Sequence, residues 1–380
     1  MNRSKRIYLS PPHMGGKELA AVCRVFDENW IAPVGPDINR FEEVLCSYTG
    51  ARYAVALSSG TAAIHLALQL CGVRAGDDVF CSSFTFAGSA FPIVYLNANP
   101  VFIDSEVSSW NMDPELLRKA LKERSRQGKC PGAVIVVHLY GQSANVLELA
   151  GICDEFSVPL IEDAAESLGA FCGETHTGVM GEFGVFSFNG NKIITTSGGG
   201  ALIGKDKEKI EKARYLSTQA RDPQPYYEHS TVGYNYRLSN ICAAIGCGQM
   251  EVLEERVEQK RQIYQFYKKS LSQINGVSLI PIDVYGRGNC WLTAIMLDQK
   301  SIGVEPETIR LVLEQNNIES RPLWKPMHLQ PVFRRYPSYL NGVSESIFSN
   351  GLCLPSGTGL NLENLNRIYE IISIAIQKRQ

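Results

Sequence analysis

The sequence predicts an α/β fold, with a large, mostly parallel sheet wrapped by helices on both faces and a smaller α/β unit after it. Three observations predict it. Short apolar runs without polar interruption alternate with helical stretches between residues 53 and 163; strands of that kind are buried on both faces. Strand–helix–strand alternation calls for parallel pairing through crossover helices. A long charged helix then breaks the pattern near residue 250, and a shorter alternation follows it. Right-handed crossovers place the C-terminal ends of the parallel strands along one edge, where ligands bind.

In order along the chain, "YAVAL" (53–57) leads into the helical "TAAIHLALQL". "DVFCSS" leads into "FAGSAFPIVYL", and "PVFID" precedes "DPELLRKALKERSRQ". "AVIVVHLYG" precedes "NVLELAGICDEF", and "VPLIED" (158–163) follows. The loop between "FGVFSF" and "GALIG" is too short for a parallel crossover, so these two should pair antiparallel and close the sheet. The charged stretch "QMEVLEERVEQKRQIYQFYKKSLSQI" (249–274) reads as one helix. After it, "CWLTAIMLD", "EPETIRLVLEQNN" and "IESRPLW" suggest the small unit. The expected division is a large domain over 1–250 and a small one over 251–380.

Composition narrows the function classes. A chain of 380 residues with 44% apolar and 20% charged residues can build two substantial cores. The net charge of −2 argues against bulk attraction to nucleic acid or to an anionic membrane. Apolar stretches such as "GAVIVVHLYG" are too short to span a bilayer. The start "MNRSKRIYLSPPHMGG" is basic but lacks the apolar run of a signal peptide, so a cytoplasmic protein is expected. Eleven cysteines lie scattered without a CxxC pair; they read as reduced, buried small residues, and no metal site is expected.

Three stretches fall on the ligand edge. In "LSSGTAAIHLALQL" a strand ends, a Ser58-Ser59-Gly60-Thr61 turn follows, and a helix begins. Free N–H groups at that helix start, with the Thr61 hydroxyl, suit an anion; plain N-capping by Ser59 is the alternative. In "VPLIEDAAESLGA", Asp163 lies just past a strand end and needs a cationic or N–H partner. A protonated pyridine nitrogen is one such partner, with a helix cap or a Mg²⁺ ligand as alternatives and only Glu162 and Glu166 nearby. In "SFNGNKIITTSGGGALIG", Lys192 follows Asp163 by 29 residues and could attack a carbonyl if desolvated beside a cationic ring. The alternative is a surface lysine in a hairpin turn. Ser187 could add a hydroxyl to a phosphate. "GGALIGKD" (199–206) fits GxxxxGK, yet Asp206 replaces the Ser/Thr of a phosphate loop and the middle reads as strand. Together the three stretches supply a phosphate cradle, a carboxylate for a pyridine nitrogen and a Schiff-base lysine.

With "SSGTAAIHLAL", "SSFTFAGSA", "PVFID", "IEDAAESLGA", "GEFGVFSFNGNKIITTSGGG", "GYNYRLSNICAAIG" and "RPLWKPMH", the chain resembles the DegT/DnrJ/EryC1/StrS sugar aminotransferases over nearly its whole length. "LSPPHMGG", "WIAPVG", "STQAR" and "YNYRLSN" look most like the branch that aminates UDP-4-keto-6-deoxy-N-acetylglucosamine at C4, as in bacillosamine synthesis. The resemblance implies a fold-type I, aspartate aminotransferase-like architecture with a seven-stranded sheet, and pyridoxal 5'-phosphate (PLP/PMP) as cofactor. Lys192 would form the Schiff base and Asp163 would pair with the pyridine nitrogen. Gly60, Thr61 and Ser187 would hold the phosphate, Phe86 would stack on the ring, and Glu166 would sit near the cofactor hydroxyl. Asn235 would reach the phosphate of the partner subunit, which makes the active unit a homodimer.

The same resemblance implies transfer of an amino group from L-glutamate to a nucleotide-linked 4-keto-6-deoxy sugar, with ping-pong kinetics. Trp30 and Ile31 in "ENWIAPVG", together with "YNYRLSN" and "RPLWKPMH", are candidates for the sugar-nucleotide walls. Arg237 and Lys325 could face the diphosphate, Trp324 offers an apolar plate and His328 a donor. The alternative for each is ordinary structure, such as Trp324 in the small-domain core. A GDP-4-keto-6-deoxymannose or a dTDP-keto sugar would use the same catalytic set. A non-catalytic PLP-binding sensor would not need Lys192, and a dehydratase of this family would carry histidine there.

Overall fold

The computed structural model describes residues 5–377. Residues 1–4 of the basic start and 378–380 of the second expected domain lie outside the described residues. The strands are β1 Tyr53–Leu57, β2 Asp78–Ser82, β3 Asn99–Ile103, β4 Ala133–Val137, β5 Leu160–Asp163, β6 Phe171–Cys172, β7 Thr175–His176, β8 Phe183–Ser187, β9 Gly200–Gly204, β10 Val277–Leu279, β11 Thr293–Leu297, β12 Arg321–Pro322, β13 Ser338–Tyr339 and β14 Gly351–Leu354.

The large sheet has the order β1-β9-β8-β5-β4-β2-β3-β13. β9 runs antiparallel to β1 and β8, and every other pair is parallel. The seven expected strands are joined by an eighth, the two-residue β13, which pairs with β3. The β8–β9 pair forms as its short loop requires, but it does not close the sheet. β9 inserts between β8 and β1, so β1 is the outer strand, and Ser58 and Leu57 are met there by Tyr236 and Arg237. Ala201, Leu202 and Ile203 of β9 are fully buried, as an inner strand requires.

Alternation along the strands separates two cores. Ala54 and Ala56 of β1 and Phe186 of β8 face one cluster with Phe41 and Tyr140. Val55, Leu57 and Val185 face the other with Ile64 and Leu68. A second, antiparallel sheet, β10-β11-β14-β12, packs on the helices Leu253–Leu271, Pro306–Gln315 and Leu362–Gln377 through Ile295, Leu352 and Ile368. Among the described residues three pairings cross residue 250: β13 with β3, Ile7 with Ile318, and Gly173 with Gly286. The single helix expected over 249–274 is two, Asn240–Met250 and Leu253–Leu271, separated at Glu251–Val252.

Because β1 and β8 are both antiparallel to β9, they point the same way as β2, β4 and β5. Their C-terminal ends share one edge. All described cysteines are free; Cys23 and Cys130 are exposed, against the expectation of burial, and Cys81, Cys153, Cys172, Cys247, Cys290 and Cys353 are buried. No described helix is long and apolar enough to cross a membrane.

Candidate active site

The turns after β1, β2, β5 and β8 converge on one cavity of ≈ 470 Å³. Gly60, Thr61, Phe86, Asp163, Glu166, Ser187, Lys192 and Trp324 all line it. β1 delivers the first turn. Ser59 caps the helix Gly60–Leu70 by accepting from Ala62 N at 3.0 Å. The amides of Gly60 and Thr61 have no acceptor within the helix and start its dipole. Ser187, at the end of β8, faces the same turn: a Cβ on Gly60 would lie 3.2 Å from Ser187 Cβ and 3.7 Å from its Oγ. Capping by Ser59 is therefore formed in this turn, with the Gly60 and Thr61 amides and the Ser187 hydroxyl beside it.

β5 delivers the acids. Asp163 is buried; its Oδ2 accepts from Ser89 Oγ at 2.6 Å and its Oδ1 from Ala165 N at 3.1 Å. Ser89 is in turn bonded to Thr85 Oγ1 at 2.7 Å. The carboxylate is oriented, and lone pairs remain for a further donor. Glu166, also buried, accepts from Tyr140 N at 2.7 Å and from Lys192 Nζ at 3.3 Å. Burial pushes its carboxyl up to about 7, although the Lys192 ammonium pulls the other way.

The loop after β8 holds Lys192. Thr196 N and Thr195 Oγ1 both donate to the Phe188 carbonyl, and Phe188 N donates to the Gly199 carbonyl. Lys192 lies over the Trp291 ring, with Nζ 4.3 Å from the centroid, and its side chain is 12% exposed. It is not a surface lysine. The stretch 199–206 is largely β9, and Lys205 donates to the Met180 carbonyl, so that segment is no phosphate loop. No group of metal-binding side chains occurs among the described residues.

The remaining expected residues lie elsewhere. Arg237 Nη1 donates to Glu42 Oε1 at 2.6 Å and to the Ala56 carbonyl at 3.0 Å, a buried pair that fastens β1 to the helix Pro36–Thr49. It lines a separate surface cavity together with Trp30; Ile31 beside it is exposed. His328 is held between Ser83 Oγ at 2.6 Å and Glu345 Oε1 at 3.1 Å, outside the Lys192 cavity. Lys325 is half-buried and does not line the cavity. Asn235 is exposed and pairs with Thr218. Trp324 packs beside Phe86 and Tyr140, at ring-centroid distances of 5.9 and 5.0 Å.

Sequence reasoning missed several lining or supporting residues. Ser89 lay unremarked in "SSFTFAGSA", one helical turn from Phe86. Trp291 lay in "CWLTAIMLD", a stretch that suggested only the small α/β unit. Arg321 lay in "IESRPLW"; its Nε and Nη2 both bond Glu319 Oε1, at 2.9 and 2.6 Å, which leaves Nη1 without a protein acceptor among the described residues. Glu319 is itself fixed by Leu9 N at 3.0 Å. A largely exposed cation at the mouth of the cavity is thereby paired with Glu319.

The sequence pattern of the DegT/DnrJ/EryC1/StrS aminotransferase family matches residues 12–373. The chain is 51% identical over 372 residues to a Bacillus subtilis (strain 168) protein named "Putative pyridoxal phosphate-dependent aminotransferase EpsN", covering 97% of this chain and 95% of that one. It is 33% identical over 369 residues to the GDP-perosamine synthase of Caulobacter vibrioides, covering 97% and 98%. Among solved structures, the aminotransferase TlmJ from Streptoalloteichus hindustanus superposes with a TM-score of 0.91 at 26% identity, covering 99% of this chain and 100% of that one.

Proposed function

The chain belongs to the DegT/DnrJ/EryC1/StrS aminotransferase family, and from that premise we propose that it aminates C4 of UDP-2-acetamido-2,6-dideoxy-4-keto-hexose with L-glutamate as donor. It is an enzyme, a PLP-dependent sugar aminotransferase. The proposal extends to a homodimer working in the cytoplasm for bacterial surface-glycan synthesis. The observation that supports it is the convergence of the Gly60–Thr61 turn, Asp163, Glu166 and Lys192 on one cavity.

The residues present fit the cofactor. Two amides at a helix start and the hydroxyls of Thr61 and Ser187 suit a phosphate dianion. Asp163, buried and pre-oriented by Ser89, suits a protonated ring nitrogen. Phe86 presents an open ring face, and Lys192 is the amine that would attach the cofactor. When bound, the cofactor supplies an electron sink for the carbon that loses its proton. Lys192 Nζ would take that proton from the substrate carbon and hold it for return. Glu166, poised near neutrality, can share a proton with Lys192 or with the cofactor hydroxyl. Trp291 and Trp324 wall the site against water. Arg321 suits an anionic group of either substrate at the entrance.

The 33% identity to a GDP-perosamine synthase favours a second reading, the same transfer to GDP-4-keto-6-deoxymannose. Incubating the holoenzyme and L-glutamate with UDP-, GDP- and dTDP-linked 4-keto-6-deoxy sugars, with mass analysis of the products, separates them. Amination of the UDP sugar is expected. Amination of the GDP sugar alone would overturn the assignment, and Lys192→Ala should aminate none.

A further inference from the structure

Lys260 is a buried amine without a carboxylate partner. It lies in the helix Leu253–Leu271 and is 2% exposed. Its Nζ donates to Ser10 Oγ at 3.1 Å and to the carbonyls of Trp291 and Ser356, both at 2.9 Å. Two of these partners lead to the turn that carries Lys192. Ser10 Oγ donates to the Asn191 carbonyl at 3.2 Å, and the Trp291 indole Nε1 donates to the same carbonyl at 2.7 Å. Trp291 is also the ring beneath Lys192. The bonds close a loop from Lys260 through Ser10, Asn191 and Trp291 back to Lys260.

We propose that Lys260 is a positioning residue for Lys192, and that its protonation sets, through Ser10, how many hydrogen bonds hold the Asn191–Lys192 peptide. This rests on the reading that Lys192 attaches the cofactor. The proton arithmetic is simple. As an ammonium, Lys260 gives one hydrogen each to Trp291 O, Ser356 O and Ser10 Oγ, and the Ser10 hydroxyl hydrogen goes to Asn191 O. As a neutral amine it keeps two hydrogens for the two carbonyls. Its lone pair then takes the Ser10 hydroxyl hydrogen, and Asn191 O retains only the indole N–H.

Both states are accessible near neutrality, because burial pushes Lys260 down to about 7. The surrounding groups do not replace it. On its own helix, Arg256 turns to the Met14 carbonyl, Arg261 to Asp283, Tyr264 to the Ile280 carbonyl and Tyr267 to the Pro355 carbonyl. From the segment before β11, Cys290 faces it, a thiol that burial pushes up to about 12 and so keeps neutral. From the N-terminal segment, His13 is bonded to Thr358 of the loop that carries Ser356, and burial lowers its pKa. Across the Trp291 ring stands Lys192.

The test mixes apo-protein with PLP over a pH series and follows visible absorbance. Borohydride reduction and mass analysis of the Lys192 peptide confirm the attachment point. Ser10→Ala removes one hydroxyl and leaves both carbonyl partners of Lys260. At about pH 6 the unaltered protein should capture PLP roughly 3- to 10-fold faster than Ser10→Ala, the worth of one hydrogen bond. The ratio should fall to about 1 by about pH 8.5, through a midpoint near the Lys260 value. Taking the ratio cancels every titration that both proteins share, that of Glu166 included. In a Lys260→Met background the Ser10→Ala ratio should not vary with pH; if Lys260→Met does not fold, the Ser10→Ala series decides alone. A ratio independent of pH in the Lys260 protein overturns the proposal. Failure of the unaltered protein to capture PLP on Lys192 overturns instead the reading beneath it.

Discussion

Asp163 and Glu166 stand three residues apart, yet their surroundings assign them different chemistry. Asp163 accepts from a hydroxyl and an amide, which together fix the orientation of its carboxylate. Ser89 is the more informative of the two donors, because its side chain links that carboxylate to Thr85 and can be removed by substitution. Ser89→Ala should lower kcat about tenfold, the worth of one charge-assisted bond, and weaken PLP binding to a similar extent. Steady-state kinetics and a PLP titration check this, and unchanged values would show that Ala165 N alone orients Asp163. Glu166 is governed by its burial. Its folded pKa of about 7 lies above the ordinary 4.5, so between those values the folded apo-protein holds a proton that the unfolded chain has released. Stability is therefore fully present below about pH 4.5 and lost as pH rises through 7. The loss is at most roughly 3–4 kcal/mol at the conversion of about 1.4 kcal/mol per unit. Glu166→Gln should flatten the fall in apo-protein Tm across that window.

At the scale of elements, the cradle depends on how closely β9 approaches the turn after β1. Gly200 opens β9 opposite both Leu57 and Ser187. A Cβ there would lie 2.3 Å from the Ser59 carbonyl carbon and 2.4 Å from Gly60 N, so the turn that aims the Gly60 and Thr61 amides would have to move. Gly200→Ala should weaken PLP binding by about tenfold or more and lower Tm, the ordinary cost of overpacking being about 1–3 kcal/mol. Gly359→Ala is the control: it lies outside the cavity, has open space around a Cβ and no positive φ. Equal PLP affinities for the two variants would show that the turn tolerates displacement. The same close approach explains why the order of the sheet was hidden. "FGVFSF" and "GALIG" announce an antiparallel pair through their short loop, but nothing local tells β9 to lie beside β1, a strand about 150 residues earlier.

For the whole molecule, the legible part of the site was the part written in local pattern: strand ends, a capped helix start, an acid after one strand and a lysine after another. Partners distant in sequence were not legible. Arg237 read as a free cation for a diphosphate, whereas its charge is taken by Glu42, which lies 195 positions away and carries no local signal. His328 is engaged by Ser83 and Glu345 in the same way. Trp30, Arg237 and Asn235 do not reach this chain's own Lys192 cavity, and Trp30 and Arg237 line an outer cavity. If that outer surface completes the cavity of a second copy, a defect there and a defect at Lys192 belong to different halves of each site. Lys192→Ala and Asn235→Ala homodimers should each be impaired. Unfolding and refolding them together in equal amounts should then restore about a quarter of the normal activity, because half the dimers are mixed and each mixed dimer holds one intact site. Activity that stays at the average of the two variants would place Asn235 in the service of its own chain. Recovery requires that the intact site combine Lys192 from one copy with Asn235 from the other, which a self-contained monomer cannot imitate.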